Sequence, residues 1–135
     1  MKLNIYTASP YKYGGLWKEL RDNIYSQYFH ATWIDIWPED ENDCTLDFDK
    51  IWQNNLMDIE EADALILYSK PGDHLEGSLV EVGFAQALGV PVFIVDNGQE
   101  YRSWVNISCV ERIVPSIDAA VLAIENYYEA GYQPR

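Results

Sequence analysis

Basic residues are scarce in this chain. Nine Lys and Arg stand against 22 Asp and Glu, a formal net charge of −13. Affinity for nucleic acid comes largely from cations that neutralise phosphates, so DNA, RNA and anionic membrane surfaces are not expected as partners. Cysteine is rarer still: Cys44 and Cys109 are the only two, without the short spacing of a metal-ligand pair. No apolar run approaches the roughly 20 residues of a membrane span, and the opening MKLNIY lacks the long apolar stretch of a secretory signal. A reducing cytoplasm is the expected compartment. Several motifs are missing as well. GxGxxG and GxxxxGK[ST] do not occur, nor do HExxH, GxSxG or CxxC, and His30 and His74 are the only histidines. Tightly held NAD, P-loop phosphate chemistry, zinc hydrolysis and Ser-His catalysis all lose their support, and neither cofactor nor metal is expected.

What is present is an ordinary globular composition, 48% hydrophobic and 23% charged over 135 residues, enough for one domain spanning 1–135. Strand-like and helix-like segments alternate along it. Residues 3–8 (LNIYTA) form a short β-rich run, followed by turn chemistry and a helical stretch over about 16–28. Residues 31–37 (ATWIDIW) alternate and are rich in β-branched and aromatic types, which predicts a second strand before an acidic loop. Apolar residues at Leu46, Phe48, Ile51, Trp52, Leu56 and Ile59 fall near helical spacing. Residues 64–68 (ALILY) are a continuous apolar run of the kind buried on both faces of a parallel sheet. A helix over about 78–88 ends at Gly89, residues 90–95 (VPVFIV) read as a strand, 108–114 as a weaker one, and a last helix is predicted over 116–130. Five strands separated by helix-length crossovers predict an α/β fold: a doubly wound, flavodoxin-like or Rossmann-like parallel sheet with helices on both faces.

Ligands of such sheets bind beyond the carboxyl ends of the strands, which selects the loops 7–15, 38–45, 69–77 and 96–104. Next to the third lies EGSLVEVGFAQALG (76–89), where Glu81 interrupts an otherwise small and apolar helix. Two readings of it stand side by side. Ser78-Leu79-Val80-Glu81 fits the capping box S-x-x-E, in which the acid reaches back to the backbone N–H of the capping serine. On helical spacing, however, Glu81 shares a stripe with Gly77, Phe84, Ala85 and Leu88, which carries a carboxylate toward the predicted cleft.

The segment 62–95 resembles the central region of the nucleoside 2-deoxyribosyltransferase family and of related deoxynucleoside monophosphate N-glycosidases. The likeness lies in an apolar strand, a glycine-containing loop and the motif E-x-G-[YF]-A, here Glu81-Val82-Gly83-Phe84-Ala85, then a small-residue helix, Gly89 and the next strand. LNIYTASP similarly resembles the family's first strand and turn. The resemblance implies Glu81 as the nucleophile at the anomeric carbon and Tyr6 beside it; Ser9, His74, Gly77 and Ser78, in the two loops of the predicted cleft, are expected to bind the substrate. It also implies a small-molecule nucleoside or nucleotide as substrate and a homo-oligomeric assembly. One departure stands out. Where the family carries an aspartate in a pattern like N-N-D-L, this chain has Gln53-Asn54-Asn55-Leu56, so Asn55 takes the place of a sugar-contacting acid. An amide hydrogen-bonds a hydroxyl but is no acid near neutral pH; Asp58, one turn on, is a substitute by helical spacing, although a solvated surface acid is the simpler reading of it.

Residues of this kind suit the cleavage of an N-glycosidic bond, because a carboxylate stabilises oxocarbenium character or forms a covalent glycosyl intermediate. A second base resolving that intermediate makes a transferase; water makes a hydrolase. Two alternatives stay open: a binding module that has lost the family aspartate, and a nicotinamide-ribose glycohydrolase, whose chemistry also needs one glutamate near a ribose. Lys70, His74, Gly77 and Ser78 could meet a phosphate at a helix N-terminus, but Glu76 beside them favours a neutral nucleoside. Tyr11, Tyr13 and Trp17 read as packing rather than as a base-stacking platform. Tyr127, Tyr128 and Tyr132 read as exposed aromatics near the carboxyl end, in keeping with a subunit contact.

Overall fold

The computed structural model describes residues 2–36, 46–96 and 111–131. Four strands, β1 (Ile5–Ala8), β2 (Ala64–Leu67), β3 (Val92–Val95) and β4 (Arg112–Val114), form one parallel sheet in the order β1-β2-β3-β4. Every residue of the first three is buried. That is what continuous apolar runs achieve when helices flank a parallel sheet. Around the sheet lie α1 (Gly14–Asn23), α2 (Trp33–Ile36), α3 (Phe48–Glu61), α4 (Glu76–Ala87) and α5 (Ile117–Glu129), with a 3-10 turn at Tyr11–Tyr13. Among the described residues no helix is long and apolar enough to cross a membrane.

Each helix that positions the site starts or stops for a local reason. The Asp47 side chain caps α3 by accepting from the Lys50 amide at 3.1 Å, and Ile51, Asn55 and Ile59 then recur every four residues as its buried stripe. Ser116 caps α5 in the same way. At the end of α4, Gly89 takes φ +76°, so its N–H meets the Gln86 carbonyl at 3.1 Å and the Val90 N–H meets that of Ala85 at 2.9 Å. This Schellman closure needs the left-handed conformation that glycine adopts without a Cβ penalty.

The strand predicted over 31–37 is not formed within the described part of that stretch. Residues 33–36 are helical instead, and among the described residues a single parallel bridge, between Ile5 and Phe29, extends the sheet beyond β1. Tertiary contacts outweigh the β propensity of this segment. Trp33 and Ile34 are both buried although adjacent, which a strand with one solvated face does not allow. The Trp33 indole donates to the Thr7 carbonyl at 2.9 Å, Asp58 accepts the Thr32 amide at 2.8 Å, and Arg21 clamps Asp35 through two 2.9 Å bonds. The described sheet thus has four strands rather than five.

The expectation for the carboxyl-terminal tyrosines also changes. Tyr128 is buried and donates to the Asp63 carbonyl at 2.5 Å, while Tyr127 packs edge-on against Phe93 with ring centroids 6.0 Å apart. Tyr128 belongs to the core that fastens α5 to the sheet, and the half-buried Tyr127 packs against it; Tyr132, Cys44 and Cys109 lie outside the described residues.

Beneath the first loop sits Trp17, fully buried, edge-on to Phe29 and Tyr68, with its indole N–H on Ser9 Oγ at 2.8 Å. Trp17→Ala is expected to lower unfolding free energy by about 3–5 kcal/mol, read as a shifted urea midpoint at unchanged slope.

Candidate active site

A cavity of about 410 Å³ opens at the carboxyl ends of β1 and β2. The segment after β1 contributes Ser9, Pro10, Tyr11 and Lys12 to its wall; the segment after β2 contributes Gly72, Asp73 and His74, then Gly77, Ser78 and Glu81 from the first turns of α4. Trp52 of α3 closes a side. Two of the four loops chosen by the strand-end rule therefore meet here. The loop 38–45 and all but the first residue of 96–104 lie outside the described residues.

Glu81 occupies the inner wall, 5% exposed. It is not part of a capping box. α4 begins at Glu76 with Leu75 at its N-cap position and no side-chain cap bond, so Ser78 lies inside the helix and cannot serve as its cap. The carboxylate instead accepts a hydrogen bond from the Tyr6 hydroxyl, from a strand 75 residues earlier. Burial pushes the Glu81 carboxyl up to about 8, with the Tyr6 hydrogen bond pulling the other way. The Tyr6 phenol is itself raised well above its ordinary value by burial and by the Glu81 charge and hydrogen bond.

The mouth is held by Asp73. Lys70-Pro71-Gly72-Asp73 forms a turn in which Gly72 has φ +89° and the Asp73 N–H reaches the Lys70 carbonyl at 3.1 Å, the proline-glycine arrangement of a type II turn. It delivers a carboxylate that accepts from Lys12 Nζ at 2.5 Å, the Tyr13 hydroxyl at 2.6 Å and the Lys70 amide at 2.7 Å. Burial raises the Asp73 carboxyl, yet these three donors outweigh it and hold the group down at about 2. His74, 91% exposed at its side chain, faces Glu76 at 3.6 Å. Each cationic or potentially cationic side chain on this wall already has a carboxylate beside it.

Of the residues singled out from sequence, Ser9, His74, Gly77, Ser78 and Glu81 line the cavity, and Tyr6 bonds Glu81 from behind. Space for a ligand is open at Gly77, where an added Cβ would meet nothing within 4 Å. Asn55 and Asp58 are not brought to the wall. Asn55 is fully buried and donates to the Tyr11 hydroxyl at 2.9 Å; Asp58 is spent on the Thr32 amide. Missed at first were Trp52, whose place one turn before Asn55 was a usable signal, and Asp73, whose partners are distant in sequence. Tyr11 both packs against Trp33 and lines the cavity, so packing was only half of its description. Among the described residues no cluster of three or more His, Cys, Asp or Glu is placed to hold a metal.

The profile of the nucleoside 2-deoxyribosyltransferase family matches residues 5–124, a span that includes β1, Glu81 and most of α5. The chain belongs to that family. No curated protein sequence matches it. Among solved structures it is similar to a 2-deoxyribosyltransferase from the psychrotolerant bacterium Bacillus psychrosaccharolyticus, at 20% identity, with 98% of each chain covered and a TM-score of 0.67. At that identity the likeness is one of fold.

A carboxyl whose folded-state value lies near 8 binds a proton that the unfolded chain has released above about 4.5. The stability it contributes is fully present below about 4.5 and is lost as pH rises through about 8. Glu81→Gln is therefore expected to match the wild type in thermal midpoint near pH 4 and to exceed it progressively up to pH 9, measured as paired melting curves.

Proposed function

We propose that this protein cleaves or exchanges the N-glycosidic bond of a nucleoside, with Glu81 as the nucleophile. The observation that carries the reading is a buried carboxylate on a cavity wall, held by Tyr6, in a chain of the nucleoside 2-deoxyribosyltransferase family. In this reading the ionised Glu81 attacks the anomeric carbon. A carbon–oxygen bond forms as the carbon–nitrogen bond breaks, and the base leaves with that electron pair and takes up a proton from solvent at the open side. A second base then displaces Glu81 and completes an exchange; water in its place gives hydrolysis. The positive charge that develops on the sugar favours the ionised carboxylate, which lowers its effective value within the complex. Tyr6 keeps the carboxylate aimed, and Ser9, Gly77, Ser78 and His74 bind the substrate around it. A neutral nucleoside fits this wall better than a monophosphate, because Lys12 and His74 already face Asp73 and Glu76.

A second reading, a nucleoside-binding module without turnover, draws on one observation. With its carboxyl at about 8, Glu81 is largely protonated near pH 7 in the absence of ligand, and a neutral acid is a poor nucleophile. The two readings separate in one assay. The protein is incubated with a mixture of deoxynucleosides and ribonucleosides, with and without adenine as acceptor base, and base release and exchange are followed by chromatography. The enzyme reading expects turnover that Glu81→Gln lowers by at least about a thousandfold while calorimetric nucleoside binding survives. Binding without turnover in the wild type supports the module.

The pH profile adds a second expected outcome. Because the active form is the ionised one, kcat/KM should rise with pH to a plateau beyond about 8. Tyr6→Phe deletes the hydrogen bond that favours the carboxylate, so the rise should move to higher pH. A profile that Tyr6→Phe leaves in place would contradict this pairing.

A further inference from the structure

One buried polar group has no part in the chemistry above. Asn55 lies on the inward stripe of α3 with Ile51 and Ile59, fully buried and away from the cavity wall. Its Oδ1 has no hydrogen-bond partner among the described residues, while its Nδ2 donates to Tyr11 Oη at 2.9 Å. A buried carbonyl left unpaired costs stability. Leucine would fill the same stripe without that cost. What asparagine supplies and leucine lacks is a donor to Tyr11.

Tyr11 lines the cavity, and its ring stands edge-on to Trp33 with centroids 5.1 Å apart. Trp33 in turn is anchored by its indole on the Thr7 carbonyl. Packing against Trp33 holds the ring, and the phenol oxygen receives the Asn55 bond. An amide nitrogen only donates, so the bond from Asn55 uses an acceptor lone pair of the Tyr11 oxygen and limits the directions in which that hydroxyl can serve a ligand. The hydroxyl also lies within the field of Glu81: burial first, and then the Glu81 charge, push the Tyr11 phenol up to about 12.

We propose that Asn55 is a positioning residue that acts on the substrate through Tyr11, and that the Tyr11 hydroxyl meets an oxygen of the pentose beside the carbon attacked by Glu81. The inference rests on the N-glycoside reading and adds to it the pair that orients the sugar. Asn55 itself touches no substrate.

A double-mutant cycle tests it, with Asn55→Leu, Tyr11→Phe and the pair together, using the nucleoside turned over best by the wild type. Asn55→Leu is expected to lower kcat/KM about tenfold and Tyr11→Phe at least as much, with the double variant no worse than Tyr11→Phe. Folding stability of Asn55→Leu, from urea denaturation, should equal or exceed that of the wild type. Asn55→Asp gives a separate readout. A protonated aspartate still donates to Tyr11 and an ionised one only accepts, so its kcat/KM relative to wild type should fall as pH rises.

Three results would overturn the proposal: an equal loss from Asn55→Leu when Tyr11 is already Phe, no loss at all, or a loss that tracks destabilisation. A flat ratio for Asn55→Asp would do the same. Should the wild type turn over no nucleoside, the N-glycoside reading fails by itself. The same cycle read by calorimetry with 2′-deoxyadenosine and thymidine then decides the pair, non-additive weakening supporting it and additive or absent effects rejecting it. Absence of binding to both nucleosides would reject both readings.

Discussion

The hydrogen bond from Tyr6 to Glu81 is the constraint on which the rest of the site depends. It joins the middle of β1 to the second turn of α4, with both groups buried. A buried carboxyl with one donor is a compromise. Desolvation favours the neutral acid and the phenol favours the anion, which leaves the group near 8 rather than at either extreme. A purely structural acid gains nothing from that position. A nucleophile that is to ionise as positive charge develops in front of it does, since the same low-dielectric wall strengthens its attraction for that charge.

The surroundings are built to keep this wall in place. Trp17 fixes Ser9 from below, Trp33 fixes the β1 backbone at Thr7, and Asp73 ties the turn after β2 to the segment after β1 through Lys12 and Tyr13. The Asp73 tie connects segments brought together by the parallel pairing of β1 with β2, and the two tryptophans brace the β1 side of that edge. The cavity is therefore a property of the sheet's carboxyl edge and not of any one loop. Its polarity follows from the same ties, because the carboxylates that hold the mouth also occupy the cations there.

Much of this was legible in the sequence, and the parts that were not share a cause. ALILY and VPVFIV are apolar without alternation, so their burial in a parallel sheet could be read directly, and 69–77 could be read as a loop at the strand ends. Glu81 stood out because an acid among small and apolar helix residues needs a reason. The capping box looked like one, but a box requires Ser78 at the N-cap, and the N-cap position lies three residues earlier, at Leu75. ATWIDIW misled because its alternation is satisfied equally by a short helix once Trp33, Asp35 and Thr32 find partners in β1, α1 and α3. Asn55 was placed on the sugar by resemblance; its actual neighbour, Tyr11, is 44 residues away, and no local pattern encodes that bond. Local chemistry is readable; long-range polar pairing is not.

Glu81 as a covalent nucleophile is the central claim, and its most direct test is chemical. The protein is mixed with a turned-over nucleoside in the absence of acceptor base, quenched rapidly in acid, and examined by intact and peptide mass spectrometry. The account predicts a mass increase of one glycosyl unit, confined to the peptide that contains Glu81 and lost on addition of a second base. Turnover with no adduct on that peptide, or an adduct located on another residue, would contradict it.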